Sequence, residues 1–91
     1  MIRSFKQRGL DAFWQRDDAS KLRPDQVDRI HRRLSALDQA ARPEEMNLPG
    51  YNFHRLQGKP TRYTVHVNGP WCLIFEWDGE DAVRVDLEQY H

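Results

Sequence analysis

The run Trp71-Cys72-Leu73-Ile74-Phe75-Glu76-Trp77 is the most hydrophobic stretch of the chain, and turn residues bound it on both sides. Asn68-Gly69-Pro70 precedes it and Asp78-Gly79 follows it. Aromatic and branched side chains over so short a run favour a strand buried at the centre of a sheet. Upstream, Tyr63, Val65 and Val67 alternate with Thr64, His66 and Asn68, the period-two pattern of a half-buried strand. Downstream, Ala82 to Leu87 returns as a last strand. Strands joined by such short turns run antiparallel, because a parallel pair needs a crossover of about a dozen residues.

The N-terminal half supplies what covers this sheet. Ile2 to Phe5 reads as a short first strand. Gly9 to Gln15 carries Leu10, Phe13 and Trp14 at helical spacing. Asp17-Asp18-Ala19-Ser20 is a connection. Pro24 and Asp25 suit a helix start, and Val27, Ile30, Leu34, Leu37 and Ala41 mark one face of a helix ending near Arg42-Pro43. His31, beside that stripe, reads as a semi-buried structural histidine. Residues 43–52 form a loop, Phe53 to Leu56 begins a strand, and Gly58-Lys59-Pro60 breaks it. The order predicts one α+β domain over residues 1–91, with two N-terminal helices on one face of a small, mostly antiparallel sheet. No further helix remains for the opposite face, which is therefore the natural place for a site.

With 91 residues, such a domain has a thin core. Cys72 is the one cysteine, so no internal disulfide forms. No stretch approaches the roughly 20 apolar residues of a membrane span, and the start has no signal-peptide pattern. The expectation is a soluble, cytoplasmic protein without membrane contact. The formal net charge is +0, but the charge is segregated. Residues 1–34 hold nine Lys/Arg against five Asp/Glu; residues 53–75 hold Arg55, Lys59 and Arg62 and no acid. Glu76, Asp78, Glu80, Asp81, Asp86 and Glu88 follow, against Arg84. Either a positive face results, or the acidic strand lies beside a basic one and cancels it.

The residue types narrow the chemistry. His54 and His66 lack zinc spacing, the Asp78-Glu80-Asp81 cluster lacks a calcium-loop pattern, and no phosphate-binding glycine loop is present. No metal and no other cofactor is expected. Cys72, inside the strongest strand run, reads as a small sheet residue rather than a nucleophile. RNA cleavage asks for less. A base takes the proton of the ribose 2′-OH, an acid protonates the leaving 5′ oxygen, and cations meet the phosphoryl charge. Histidine suits the first two tasks, lysine and arginine the third. His54, Tyr90, His91, Lys59, Arg55, Arg62 and Arg84 are on offer, and an ordinary basic surface is the rival reading.

Five segments stand out together: the opening Met1-Ile2-Arg3-Ser4-Phe5-Lys6-Gln7-Arg8-Gly9-Leu10, Val27-Asp28-Arg29-Ile30 with Leu34, His54-Arg55-Leu56-Gln57-Gly58, Asn68-Gly69-Pro70-Trp71 and the closing Tyr90-His91. In this combination the chain resembles a known family, the HigB toxins of the RelE/ParE superfamily. The likeness covers essentially the whole chain. The resemblance implies a RelE-like fold and a ribosome-dependent mRNA endonuclease. It implies a HigA-type helix-turn-helix antitoxin as partner, through which operator DNA is mainly contacted. The implied catalytic residues are His54, Tyr90 and His91. The family's lysine position is Gln57 here, and the arginine expected after Trp71 is Cys72, so two positive charges are missing. Lys59 stands two residues beyond Gln57 as the replacement cation, with Arg55, Gln57, Arg62 and Arg84 as RNA contacts. A weakened nuclease that only binds RNA, ribosome or antitoxin, and a ParE-like gyrase poison, are the alternatives. His54 and Tyr90-His91 favour the nuclease; Gln57 and Cys72 favour a depleted site.

Overall fold

The computed structural model describes residues 1–89. Helix α1 (Arg8–Arg16) and helix α2 (Val27–Gln39) precede strands β1 (His54–Leu56), β2 (Arg62–Asn68), β3 (Trp71–Asp78) and β4 (Asp81–Gln89). The strands lie in the order β1-β2-β3-β4, every neighbouring pair antiparallel. This is the α+β architecture that the turn spacing implies, with the Trp71 run flanked on both sides. The β3–β4 loop is Gly79-Glu80, closed by the Asp78–Asp81 pair. Gly79 supplies the positive φ (64°) that such a two-residue loop needs.

Side chains of one strand parity build the core. Val65, Val67, Leu73, Phe75, Val85 and Leu87 meet Leu10 and Phe13 of α1 and Ile30, Leu34 and Leu37 of α2 in one buried cluster. Phe53, Tyr63, Phe75 and Trp77 form a ladder of rings with successive centroid separations of 5.8, 5.6 and 6.4 Å. The first turn of α1 is closed by Gln7, whose side-chain oxygen accepts from the Leu10 amide at 3.1 Å.

Three details differ from the sequence expectation. The α2 stripe is shorter: the helix ends at Gln39, Ala40 is buried beyond it, and Ala41 is exposed. The fourth buried position on that face is a charged residue, Arg33. His31 is exposed, because one step past Ile30 turns the side chain about 100° off the buried face. Its ring meets the ring of Phe13 edge-on at 6.1 Å. Finally, Ile2 to Phe5 makes only two isolated parallel bridges, Ile2 with Ala82 and Phe5 with Val85. The segment lies along the outer edge of β4 and covers polar groups that an edge strand would otherwise present.

Candidate functional site

The face turned away from the helices carries the other parity. Cross-strand pairing sets its side chains in two rungs. One runs His54, Thr64, Ile74, Asp86 across β1 to β4; the other runs His66, Cys72, Glu88 across β2 to β4. This face has two hollows of different character.

The first is a cavity of about 380 Å³ whose lining includes Asn52, His54, Thr64, His66 and Cys72. His54 is exposed at the start of β1, and its Nε2 is 3.1 Å from Asn52 Oδ1. Asn52 itself adopts a positive φ of 48°, tolerable for asparagine, which reverses the chain just before the strand. His66 is half-buried, and its Nε2 is 2.9 Å from the Gly69 carbonyl oxygen. Cys72 is 9% exposed and faces His66 across the β2–β3 pair. That agrees with a small sheet residue.

The second hollow, about 300 Å³, holds mixed charge: Lys6, Arg62, Glu76, Arg84, Asp86 and Glu88. Arg84 sits at an irregularity in β4 with φ 53°, its amide donating to Ser4 Oγ at 2.9 Å and its Nε to Glu76 Oε2 at 3.1 Å. A hydrogen bond donated by the protonated Glu88 carboxyl to Asp86, burial and the Asp86 charge push Glu88 up from its ordinary value, with Lys6 and Arg62 opposing. On this part of the face the acidic strand does lie against basic side chains.

The remaining candidates are dispersed around these hollows. Arg55 pairs with Tyr63 and so shares the opposite strand parity from His54. With Gln57 it lines a separate depression at the turn after β1. Lys59 is exposed in that turn, before Pro60. Among the described residues, Arg55, Lys59 and Arg62 have no carboxylate within ion-pair distance, whereas Arg84 is held by Glu76. Tyr90 and His91 lie outside the described residues. The structure therefore brings His54 together with His66 and Cys72, and sets Arg62 and Arg84 apart from them.

His66 is the residue that sequence reasoning passed over. Its signal was present: the alternation Tyr63-Val65-Val67 assigns Thr64 and His66 to the uncovered face. What the sequence does not show is that β1 brings His54 to the same cavity. Among the described residues no group of His, Cys, Asp and Glu is arranged to hold a metal ion. No described helix is long and apolar enough to cross a membrane.

Comparison with known proteins agrees with the α+β fold. Residues 3–91 match the family described as the RelE-like toxin of the type II toxin-antitoxin system HigB. The chain is 35% identical over 92 residues to the Endoribonuclease HigB of Proteus vulgaris, covering 100% of both chains. It is 30% identical over 93 residues to Toxin HigB-1 of Vibrio cholerae serotype O1, covering 99% of this chain and 98% of the relative.

Proposed function

The chain belongs to the HigB-like family of RelE-like toxins of type II toxin–antitoxin systems, and from that premise we propose that it is an endoribonuclease that cuts mRNA held in the ribosome, without a metal. The observation that carries this reading is the exposed imidazole of His54 on the uncovered sheet face, at the mouth of a cavity able to admit part of a nucleotide. In this reading residues 1–91 act as one toxin domain in the cytoplasm.

The reaction asks for two proton carriers. The ribose 2′-oxygen attacks phosphorus while a neutral imidazole takes its proton. The P–O5′ bond breaks as an imidazolium gives a proton to the leaving oxygen. The products are a cyclic phosphate and a free 5′-OH. His54 and His91 take these two roles, with His91 the principal group and Tyr90 orienting the phosphate or stacking on a base. Lys59 meets the phosphoryl charge, while Arg55, Gln57 and Arg62 contact the RNA backbone. Arg84 joins them only by leaving Glu76. The ribosome supplies substrate orientation, which lets so small a site suffice. A HigA-type helix-turn-helix antitoxin holds the toxin inactive, and operator DNA is bound mainly through that partner.

Primer extension on mRNA from cells induced for the wild type and for His91→Ala tests the reading. New 5′ ends in translated regions that vanish in the variant are expected. Growth arrest with intact mRNA and accumulated DNA breaks would instead mean a gyrase poison. Antitoxin binding without arrest would mean a binding module whose nuclease has decayed.

A further inference from the structure

The cavity beside His54 faces a charge problem. A phosphodiester bound there carries a negative charge, yet among the described residues no lysine or arginine lines the cavity. Arg62 and Arg84 belong to the other hollow, and Arg55 and Gln57 to the turn depression. The position opposite His66 is the small, uncharged Cys72. Within the described lining, His66 joins His54 as a side chain able to carry positive charge.

The His66 ring is fixed by a main-chain hydrogen bond, its Nε2 2.9 Å from the Gly69 carbonyl oxygen. A carbonyl oxygen only accepts, so the bond to Gly69 requires that Nε2 carry hydrogen. That leaves Nδ1 as the atom that gains or loses the second proton. The main chain is fixed on both sides of the ring. The His66 amide donates to the Tyr51 carbonyl at 2.6 Å. The His66 carbonyl accepts from Nε of Arg33, a residue 5% exposed. Arg33 has no carboxylate within ion-pair distance among the described residues. It donates instead to the Arg29 carbonyl at 3.2 Å and lies over the Tyr51 ring. Burying a guanidinium this way is costly. The fold accepts that cost at the one segment of β2 that carries this ring.

Geometry makes the two histidines partners. His54 pairs with Thr64, and His66 is two residues further along the same face of β2. Such diagonal neighbours have Cα atoms about 7–8 Å apart, within reach of each other's longer side chains, and both rings line the one cavity. We infer that His66 is a second imidazole of the RNA site, its Nδ1–H donating to a phosphoryl oxygen opposite His54 when the ring is protonated. This rests on the endoribonuclease reading above and adds a phosphate-holding residue to it. His66 thereby provides positive charge across the strand pair from Cys72, where the family resemblance leads one to expect an arginine.

The test is a nitrogen-15 correlation spectrum of the imidazoles in the full chain, titrated with a deoxyribose trinucleotide that cannot be cleaved. The His54 and His66 signals should move along one saturation curve, with His31, exposed on α2, unmoved. Free His66 should show the Nε2–H form. The ionisable side chains around His66 are His54 on β1, Cys72 on β3 and, one strand further, Glu88. His66→Asn should weaken trinucleotide binding by about tenfold or more, the scale of a hydrogen bond to a charged group. Movement of His54 without His66, movement of neither, or equal binding by a folded His66→Asn chain overturns the inference. Should the variant fail to fold, the wild-type titration decides alone. The endoribonuclease reading is judged separately, by whether the wild type cuts ribosome-held mRNA. Cutting that His66→Asn leaves with the same KM sinks the inference and spares that reading. No cutting at all sinks the reading, and the titration still decides His66.

Discussion

The guanidinium of Arg33 lies over the ring of Tyr51, its Cζ 4.3 Å from the ring centroid. Both residues also touch the main chain of His66, one at its carbonyl and the other at its amide. Burial holds the Arg33 pKa below the usual arginine range, the sign of a charge kept from water. Two effects then oppose each other on replacement. Arg33→Met loses hydrogen bonds from a charged group, but it also removes a costly buried charge. The expected outcome is a change in unfolding free energy within about 1 kcal/mol, as volume-conserving removal of buried charge often gives. The His66 amide should nonetheless exchange with solvent at least about tenfold faster, since its strand has lost a tether. Urea unfolding and amide exchange check both halves. An unchanged His66 amide would mean that Arg33 serves packing alone.

The core offers a contrast. Leu34 is fully buried among Leu37, Ile30 and the sheet. Leu34→Asp leaves both a void and an unpaired carboxylate, at a cost of roughly 3 kcal/mol or more. For a domain of this size that is a large share of total stability. A thermal midpoint close to wild type would contradict the packing described.

Asp86 and Glu88 give a pH signature. They sit two apart on one face of β4, and the Glu88 pKa is raised above its ordinary 4.5, led by the Asp86 hydrogen bond. Just above that ordinary value the folded chain holds more protons than the unfolded one. Stability from this group is therefore greatest at low pH and declines as pH rises through the interval up to the raised value. Glu88→Gln should remove this decline, so that the difference between variant and wild type grows in the variant's favour with pH. Urea midpoints taken from pH 4 to pH 7 measure it. A difference independent of pH would mean that the Asp86 contact does not persist in solution.

Much of this arrangement was legible in the residues. The alternation from Tyr63 to Asn68 and the turns at Gly69 and Gly79 define antiparallel strands, because period and turn chemistry are local properties. The Ile30-Leu34-Leu37 stripe is local in the same way. What escaped depends on distant partners. Ile2 and Phe5 look like a strand, but their two bridges run to Ala82 and Val85, some eighty residues away, and no local pattern specifies that. Arg33 looks like one more solvated cation until Tyr51 and the His66 carbonyl are placed beside it. The Arg84–Glu76 pair depends on a break in strand register. His66 shows the dividing line most plainly: parity gives its face, while only the β1–β2 pairing gives its neighbour His54.

The turn after β1 carries the last prediction. Gln57 and Lys59 are both exposed there, two residues apart around Gly58, whose φ of 118° bends the chain. If Lys59 has taken over the cation absent at position 57, Lys59→Ala should slow cleavage of ribosome-held mRNA by about 10²-fold, near 3 kcal/mol of lost charge stabilisation. Both residues are exposed, so stability should change by less than about 0.5 kcal/mol. Adding Gln57→Lys to the Lys59→Ala chain should then restore most of the rate, because the charge returns to the same turn. Single-turnover cleavage of one programmed message by the three proteins distinguishes the cases. A Lys59→Ala chain as fast as wild type would move the burden of phosphate charge wholly to the histidine cavity. A double variant no faster than Lys59→Ala would mean that this turn presents position 57 away from the phosphate.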